Sequence, residues 1–575
     1  MSHTGSLLQR NLRALLAGGG GANKATVAKV AASQASQRLQ IEASRVGGMS
    51  EPTATLNVSA AQGEQETPEG MPNQEGALLL HSRYRPMSEA RKFARGTEIE
   101  SCDYMLLYGF GLGYEAEALL EAAPQLELRI IEPDPALLYS AFSARDLSTL
   151  LYSAHVSIVC EDSVAEAVDR LDYLPFFFPN LRTTSLRARL PADEQYFKSF
   201  ARSLERFIAA AGNDYRACAA YGLRWCVNTI RNLALLERAE LYTEPAPTPD
   251  WTIVGAGPSA DRAVQRQHSV STIFCDTAVP AAAAYAYSRL TAVSIDPQPI
   301  SHLHYLGVSL KNIHLFADLG SHHNLLRKFP HITFISSGHP LHTYLHSQGI
   351  PIGPRLVRGG SVSETALRIA HYSGATAIQL YGLDFAYLAE KSYVAGSWID
   401  SYLRIRSNRL NSISDQNYAF LQQRNAVRCS GVTHEHQPPT YHTELLNEYR
   451  EAFLATAKEL GFTYQAAKSF DAPGRLHADR RVSPSHGATP DSPTATYRRV
   501  KDVLQKLKQD LTAFHIPTDD SRLSSTYRTL GAAGAALVPA AIFYHERRGL
   551  SRCEAMKTSC DLMIMEISQF SGDDT

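Results

Sequence analysis

Two glycine turns, each tied to a short apolar run, restrict the fold of this chain more than any other feature. Trp251-Thr252-Ile253-Val254 runs into Gly255-Ala256-Gly257-Pro258-Ser259, with Pro258 suited to a first helical position. Gly359-Gly360-Ser361 precedes a segment in which Val362, Ala366, Ile369 and Ala370 recur at helical spacing. Ser361 with Glu364 fits an S-x-x-E capping box, Gly374 stands where a helix stop belongs, and 377–382 reads as a buried strand with Asp384 just past its end. Apolar runs at 272–274, 292–295, 313–316 and 332–335 lie between the two turns and alternate with helix-like segments such as 281–288. The alternation predicts an α/β fold, a Rossmann-like parallel sheet with helices on both faces. Asp276, Asp296 and Asp318 follow those strands, and open α/β sheets bind ligands at that edge. A helix start behind paired glycines also offers free N–H groups to phosphate.

A second pattern of the same kind lies upstream. An apolar strand at 104–108 meets Gly109-x-Gly111-x-Gly113, a helix follows, and the next strand, 128–131, ends at Glu132-Pro133-Asp134. An acid about twenty residues after the glycines is where a Rossmann-like domain touches a ribose hydroxyl. Methyltransferases that use S-adenosylmethionine share the pattern but usually carry an acid just before the first glycine, where Leu107 and Tyr108 stand here. A Rossmann-like scaffold without a cofactor is the competing reading, since fold does not fix function.

Composition sets the remaining boundaries. Residues 1–75 hold four consecutive glycines at 18–21 and no aromatic residue, which predicts a disordered tail. An N-terminal Rossmann-like domain with a helical extension is expected over 76–245, a central domain over 246–465, a Pro/Ser-rich linker over 466–498, and a helical region over 499–575. Fifty-six basic against 57 acidic side chains, a net charge of -1, argue against a nucleic-acid partner held by bulk charge. Eight cysteines without C-x-x-C or zinc-like spacing read as reduced and mostly buried. No apolar run has the length of a membrane span and the first ten residues lack a secretory pattern, so a cytoplasmic location is expected.

Gly255-Ala256-Gly257-Pro258-Ser259, Val293-Ser294-Ile295-Asp296-Pro297, Gly359-Gly360-Ser361-Val362 and Leu380-Tyr381-Gly382-Leu383-Asp384-Phe385 together resemble the motility-associated factor (Maf) family of flagellin glycosyltransferases. The central domain of that family is similar to 6-hydroxymethylpterin diphosphokinases of the MptE-like kind and to certain bacterial sialyltransferases. His81–Pro86, Gly109–Tyr114, and Trp225 with Asn228 and Asn232 resemble its amino-terminal part, so the likeness covers about 77–465. It implies transfer of a nonulosonic acid, pseudaminic or legionaminic in type, from a CMP-activated donor to Ser or Thr of flagellin. Gly255, Gly257, Pro258, Ser259, Gly359, Gly360 and Ser361 would then hold the nucleoside monophosphate, and Asp276 the ribose or base. The general base would come from His302, His304, His322, His323 or His339, with His339 preferred for its place at a strand end. Asp296 and Asp384 are the further catalytic candidates and the carboxylates for a magnesium ion, if one is used; the central domain has no D-x-D, which favours metal-free transfer. Three rivals stand beside this reading. One is a pterin pyrophosphokinase using ATP and magnesium. Another is an NAD(P)-dependent oxidoreductase, suggested by Gly255-x-Gly257-x-x-Ala260 with Asp276. The third is a flagellin-binding protein without activity.

Overall fold

The computed structural model describes the chain apart from residues 1–2, 19–20, 35–38, 44–51, 59–75, 241–248, 266–270, 286–288, 355, 357–360, 389, 429–439, 468–472, 479–492, 524–529 and 572–575. It forms two compact units, 1–217 with 517–529 and 218–516 with 530–575, and the division falls inside the helix Glu194–Leu233.

The first unit holds an antiparallel sheet of β1 (Leu39–Ala43), β2 (Pro52–Val58) and β3 (Gly76–Leu79). Its parallel sheet is built from β4 (Tyr104–Tyr108), β5 (Glu127–Ile131), β6 (Val156–Val159) and β7 (Leu181–Ser185), in the order β6-β5-β4-β7. β4, β5 and β6 are buried along their whole lengths, which is why their sequences lack alternation. The expectation of a disordered tail over 1–75 is corrected for its described segments. Helices His3–Ala17 and Gly21–Ala31 bury Leu8, Leu12, Leu15 and Val30 in the core of this unit. Polar residues dock them as well: Asn11 Nδ2 donates to the carbonyls of Phe142 (2.8 Å) and Arg145 (2.7 Å), and Thr26 Oγ1 to that of Ile158 (2.7 Å). Buried amides and hydroxyls that are fully paired let a segment without aromatics order itself against a preformed core.

The second unit is organised on one eight-stranded sheet. β8 (Asp250–Val254), β9 (Thr272–Cys275), β10 (Leu290–Ser294), β11 (Ile313–Asp318), β12 (His331–Ile335) and β13 (Ala377–Tyr381) are mutually parallel, as the apolar runs predict. β14 (Tyr387–Leu388), β15 (Val427–Arg428) and β16 (Thr440–His442) make a small antiparallel sheet. β17 (Thr463–Gln465) and β18 (Gly474–His477) complete the large one, whose order is β12-β11-β10-β9-β8-β13-β18-β17. β18 lies antiparallel between β13 and β17, so 474–477 belongs to the sheet and not to a linker.

The boundary expected near 245 also moves, because 218–233 packs within this unit. Arg231 pairs with Glu566 (2.6 Å), and a Cβ at Gly222 would run into the Pro539 backbone. Helices Pro493–Ala513, Val538–Arg548 and Arg552–Ser571 are therefore part of the central unit.

Candidate functional site

The strand order reverses between β8 and β13, so the switch point of the sheet lies between the loops 255–259 and 382–384, at the carboxyl edge. Those loops are bonded to each other. Gly255 N–H donates to Tyr381 O (2.8 Å), Gly257 N–H to Gly382 O (2.8 Å) and Ser259 N–H to Asp384 Oδ2 (3.1 Å). Ser259 Oγ in return accepts from Gly382 N–H (3.1 Å). Only glycine fits at 257, since a Cβ there would overlap the Asp384 carboxylate and the Gly382 carbonyl. Three donors expected to face phosphate are thus spent on closing the switch point. Burial pushes the Asp384 carboxyl above its ordinary pKa, and its bonds to Ser259 pull it back. Phe385, next in the chain, adopts φ +47°, a left-handed conformation that few non-glycine residues hold.

Gly359 and Gly360 lie outside the described residues. Ser361 caps the helix Val362–Tyr372 by accepting from Glu364 N–H (3.3 Å). Only half of the expected capping box forms, because the Glu364 carboxylate accepts from Thr456 Oγ1 (2.7 Å) and lies 3.6 Å from Arg368.

The strand-end acids differ in what they have left to offer. Both Asp276 oxygens are engaged: Oδ1 accepts from Thr277 N–H (2.8 Å) and Oδ2 from Ser294 Oγ (2.9 Å), fixing the ends of β9 and β10. Asp318 is buried and accepts from Gly320 N–H and Ser337 N–H, both at 2.8 Å; burial raises its pKa to about 6. Asp296 is half-buried, with Oδ1 bound by Gln298 N–H (2.8 Å), and burial raises its pKa too.

His339 precedes the helix Pro340–Ser347, and its ring meets Trp225 edge-on at 5.4 Å and His342 at 5.5 Å. Both of its ring nitrogens are buried and neither has a partner among the described residues. Burial holds its pKa well below the usual imidazole range, so the ring is neutral at pH 7. His302 and His322 meet edge-on at 5.1 Å between ring centres, and His322 reaches His323 at 5.4 Å. Burial lowers His322 to about 4. Among the described residues no group of three or more His, Cys, Asp or Glu side chains is placed to hold a metal ion.

Asn228 and Asn232, one helical turn apart, are clamps to which sequence reasoning gave no role at the site. Asn228 Nδ2 donates to the carbonyls of Pro297 (3.1 Å) and Gly320 (3.0 Å), and its Oδ1 lies 3.0 Å from His323 Nδ1. Asn232 Nδ2 donates to Leu319 O and Ser321 O, both at 2.8 Å. Thr229 Oγ1 meets His342 Nε2 at 3.0 Å. One face of this helix thereby fixes the loops that follow β10 and β11. The N-x-x-x-N spacing just after Trp225 was the available signal.

The glycine loop of the first unit is filled by the protein itself. His81 Nε2 accepts from Leu112 N–H (2.9 Å), and its ring lies where a Cβ of Gly111 would point. The Arg189 stem covers Gly109 in the same way. Glu132, the acid expected at a ribose, is fully buried, ion-paired with Arg189 and bound by Phe110 N–H (3.1 Å). Donors, acid and volume are all taken up internally.

The family model described as 6-hydroxymethylpterin diphosphokinase MptE-like matches residues 228–390, which begin at the Asn228 clamp and end beyond Asp384. Two proteins of Treponema pallidum (strain Nichols), both described only as uncharacterized, are similar in sequence. One is 27% identical over 175 residues, 27% of this chain and 54% of that protein, so the match spans about half of the relative's length. The other is 30% identical over 146 residues, 23% of this chain and 67% of that protein, so this chain belongs to the family of that relative. Among solved structures, the Maf glycosyltransferase from Magnetospirillum magneticum AMB-1 is similar in fold, with a TM-score of 0.53 at 12% identity over 99% of this chain and 97% of that one. Residues 228–390 are thus an MptE-like domain, and the chain is a Maf-like protein in its fold.

Proposed function

We propose that this chain is a glycosyltransferase that moves a nonulosonic acid, pseudaminic or legionaminic in type, from CMP to Ser or Thr hydroxyls of flagellin. The observation that carries the reading is the likeness in fold, across almost the whole chain, to a Maf glycosyltransferase. In this reading the acceptor oxygen bonds to the anomeric carbon, CMP leaves with the electron pair of its glycosidic bond, and a base takes the hydroxyl proton. His339 is the candidate base: its ring is neutral at pH 7 and its nitrogens have no partner among the described residues, and the bound acceptor must offset the basicity that burial takes from it. Asp296, the half-buried strand-end acid, orients a substrate hydroxyl, and Asp384 holds the switch point shut. Charge developing on the CMP phosphate is met at the start of the helix Val362–Tyr372 behind Gly359, Gly360 and Ser361. Gly255, Gly257, Pro258 and Ser259 serve the nucleotide by closing the switch point, and Asp276 by fixing the ends of β9 and β10.

A second reading, transfer of pyrophosphate from ATP to a pterin alcohol, is favoured by the family description of 228–390. Ligand-induced stabilisation separates the two, since a ligand that binds only the native state raises its melting temperature. CMP at millimolar concentration should stabilise the protein, and ATP with magnesium and 6-hydroxymethylpterin should not. Stabilisation by the ATP and pterin set alone would replace the first reading with the second.

A further inference from the structure

Beside the strand-end acids, two facing rings carry polar atoms with no partner. His304, in the turn Pro299–Tyr305, faces Trp398, the first residue of the helix Trp398–Arg406, with ring centres 6.3 Å apart. His304 Nδ1 and Trp398 Nε1 are both buried, and neither has a hydrogen-bond partner among the described residues. Native folds pair nearly all such atoms, so two on neighbouring rings mark a place that a polar ligand completes. Tyr402 packs against Trp398 at 6.1 Å and is 46% exposed, which carries the aromatic surface out to solvent. Asp296 stands three residues before the turn Pro299–Tyr305 that carries His304, within electrostatic range of the imidazole. Of the cations in the neighbouring segment, Lys391 pairs with Asp261 and Arg404 with Asp400, while Arg406 lies over the Tyr402 ring at 5.4 Å and donates to its hydroxyl (2.5 Å).

We infer that His304, Trp398 and Tyr402, with Asp296 at their edge, form the subsite for the sugar ring of the activated donor, separate from the nucleotide. The inference rests on the glycosyltransferase reading and adds to it the residues that tell CMP–sugar from CMP. A pyranose ring presents an apolar C–H face to an aromatic plane and a rim of groups that both donate and accept. The indole N–H donates, the imidazole does either, and the carboxylate accepts, so the three supply a complementary rim. Asp296 repels a phosphate at this edge, and the Arg406 guanidinium lies at the Tyr402 end. The same repulsion turns the sugar's own carboxylate away, leaving its hydroxyl and acylamido edge towards Asp296.

Trp398→Phe and His304→Phe each keep a flat ring and remove the polar atoms. Binding of CMP and of CMP–pseudaminic acid to the full chain and to both variants is measured by calorimetry, with melting temperatures as the check on folding. The wild type should bind the sugar nucleotide more tightly than CMP. Each variant should lose about tenfold for CMP–pseudaminic acid, the worth of one buried hydrogen bond, while its CMP affinity stays within twofold. Variants that keep the wild-type preference overturn the subsite, as do variants that lose both ligands equally. A wild type that binds CMP and CMP–pseudaminic acid equally also overturns the subsite and leaves the nucleotide assignment standing. A wild type that binds neither removes the glycosyltransferase reading itself.

Discussion

Replacing Gly257 by Ala isolates what the closed switch point contributes. Gly257 has φ -68°, a conformation open to any residue, so the substitution carries no backbone strain. Its whole effect comes from the added methyl, which would overlap the Asp384 carboxylate and the Gly382 carbonyl. To make room the 382–384 turn must withdraw. That breaks the bonds Gly257 N–H to Gly382 O, Ser259 N–H to Asp384 Oδ2, and Gly382 N–H to Ser259 Oγ. At about 1 kcal/mol each these sum to about 3 kcal/mol, and the lower entropy of the unfolded Ala chain returns about 0.5 kcal/mol. The expected loss is therefore about 2–3 kcal/mol. All three tryptophans, Trp225, Trp251 and Trp398, lie in the second unit, so indole fluorescence during urea unfolding reports that unit alone. Gly474→Ala is the control: it also lacks a positive φ, and its Cβ would make only ordinary contact with Tyr464, at 3.4 Å, so it should change stability by less than about 0.5 kcal/mol. Adding Asp384→Ala to Gly257→Ala removes one of the two obstacles and should recover part of the loss. A Gly257→Ala protein as stable as the wild type would refute the interlocked loops.

The other expectations follow from the same geometry. Asp318 has a folded pKa near 6 against an ordinary 3.8, so its contribution to stability is fully present below about pH 4 and is lost as pH rises through 6; Asp318→Asn should flatten that decline by about 3 kcal/mol in urea titrations from pH 4 to 7, and an unchanged profile would contradict the buried charge. A chain ending at Pro473 loses β18 and the helices that pack on 218–233, so it should show no cooperative indole transition; a folded truncated protein would return 474–575 to the status of an appendage. S-adenosylmethionine and NAD should not raise the melting temperature, because His81, Arg189 and Glu132 fill the glycine loop of the first unit and Gly382 and Asp384 take the N–H groups of Gly257 and Ser259 in the second; a saturable shift with either would show that one of the loops opens.

The six parallel strands of the second unit were legible in the sequence because they are mostly buried and so leave short, largely apolar runs, and the glycine turns at 255–257 follow from close backbone approach. Partnerships across distance were not legible. Glu364 matches a capping box by spacing, yet Thr456 and Arg368 claim its carboxylate. Asp276 stands where a ribose acid would, yet Ser294 and Thr277 take both of its oxygens. The first thirty residues lack aromatics and looked unable to order, but they dock through Asn11 and Thr26 onto carbonyls more than 100 positions away. β18 sat within what composition marked as a linker, because a four-residue strand flanked by turn-like residues carries too little periodicity to stand out. Local pattern records which side of a segment is apolar, and says little about which distant group a polar side chain will meet.

The central claim is that this chain attaches a nonulosonic acid to flagellin, and the intact mass of flagellin tests it most directly. Flagellin is incubated with CMP–pseudaminic acid and the purified full-length protein, with the His339→Phe variant in parallel, and its mass is read by electrospray spectrometry. Wild-type protein should add increments of one sugar residue each, retained after mild-base treatment that would strip an ester, and the variant should lower the extent by at least about tenfold. Flagellin whose mass is unchanged by wild-type protein with saturating donor would contradict the claim.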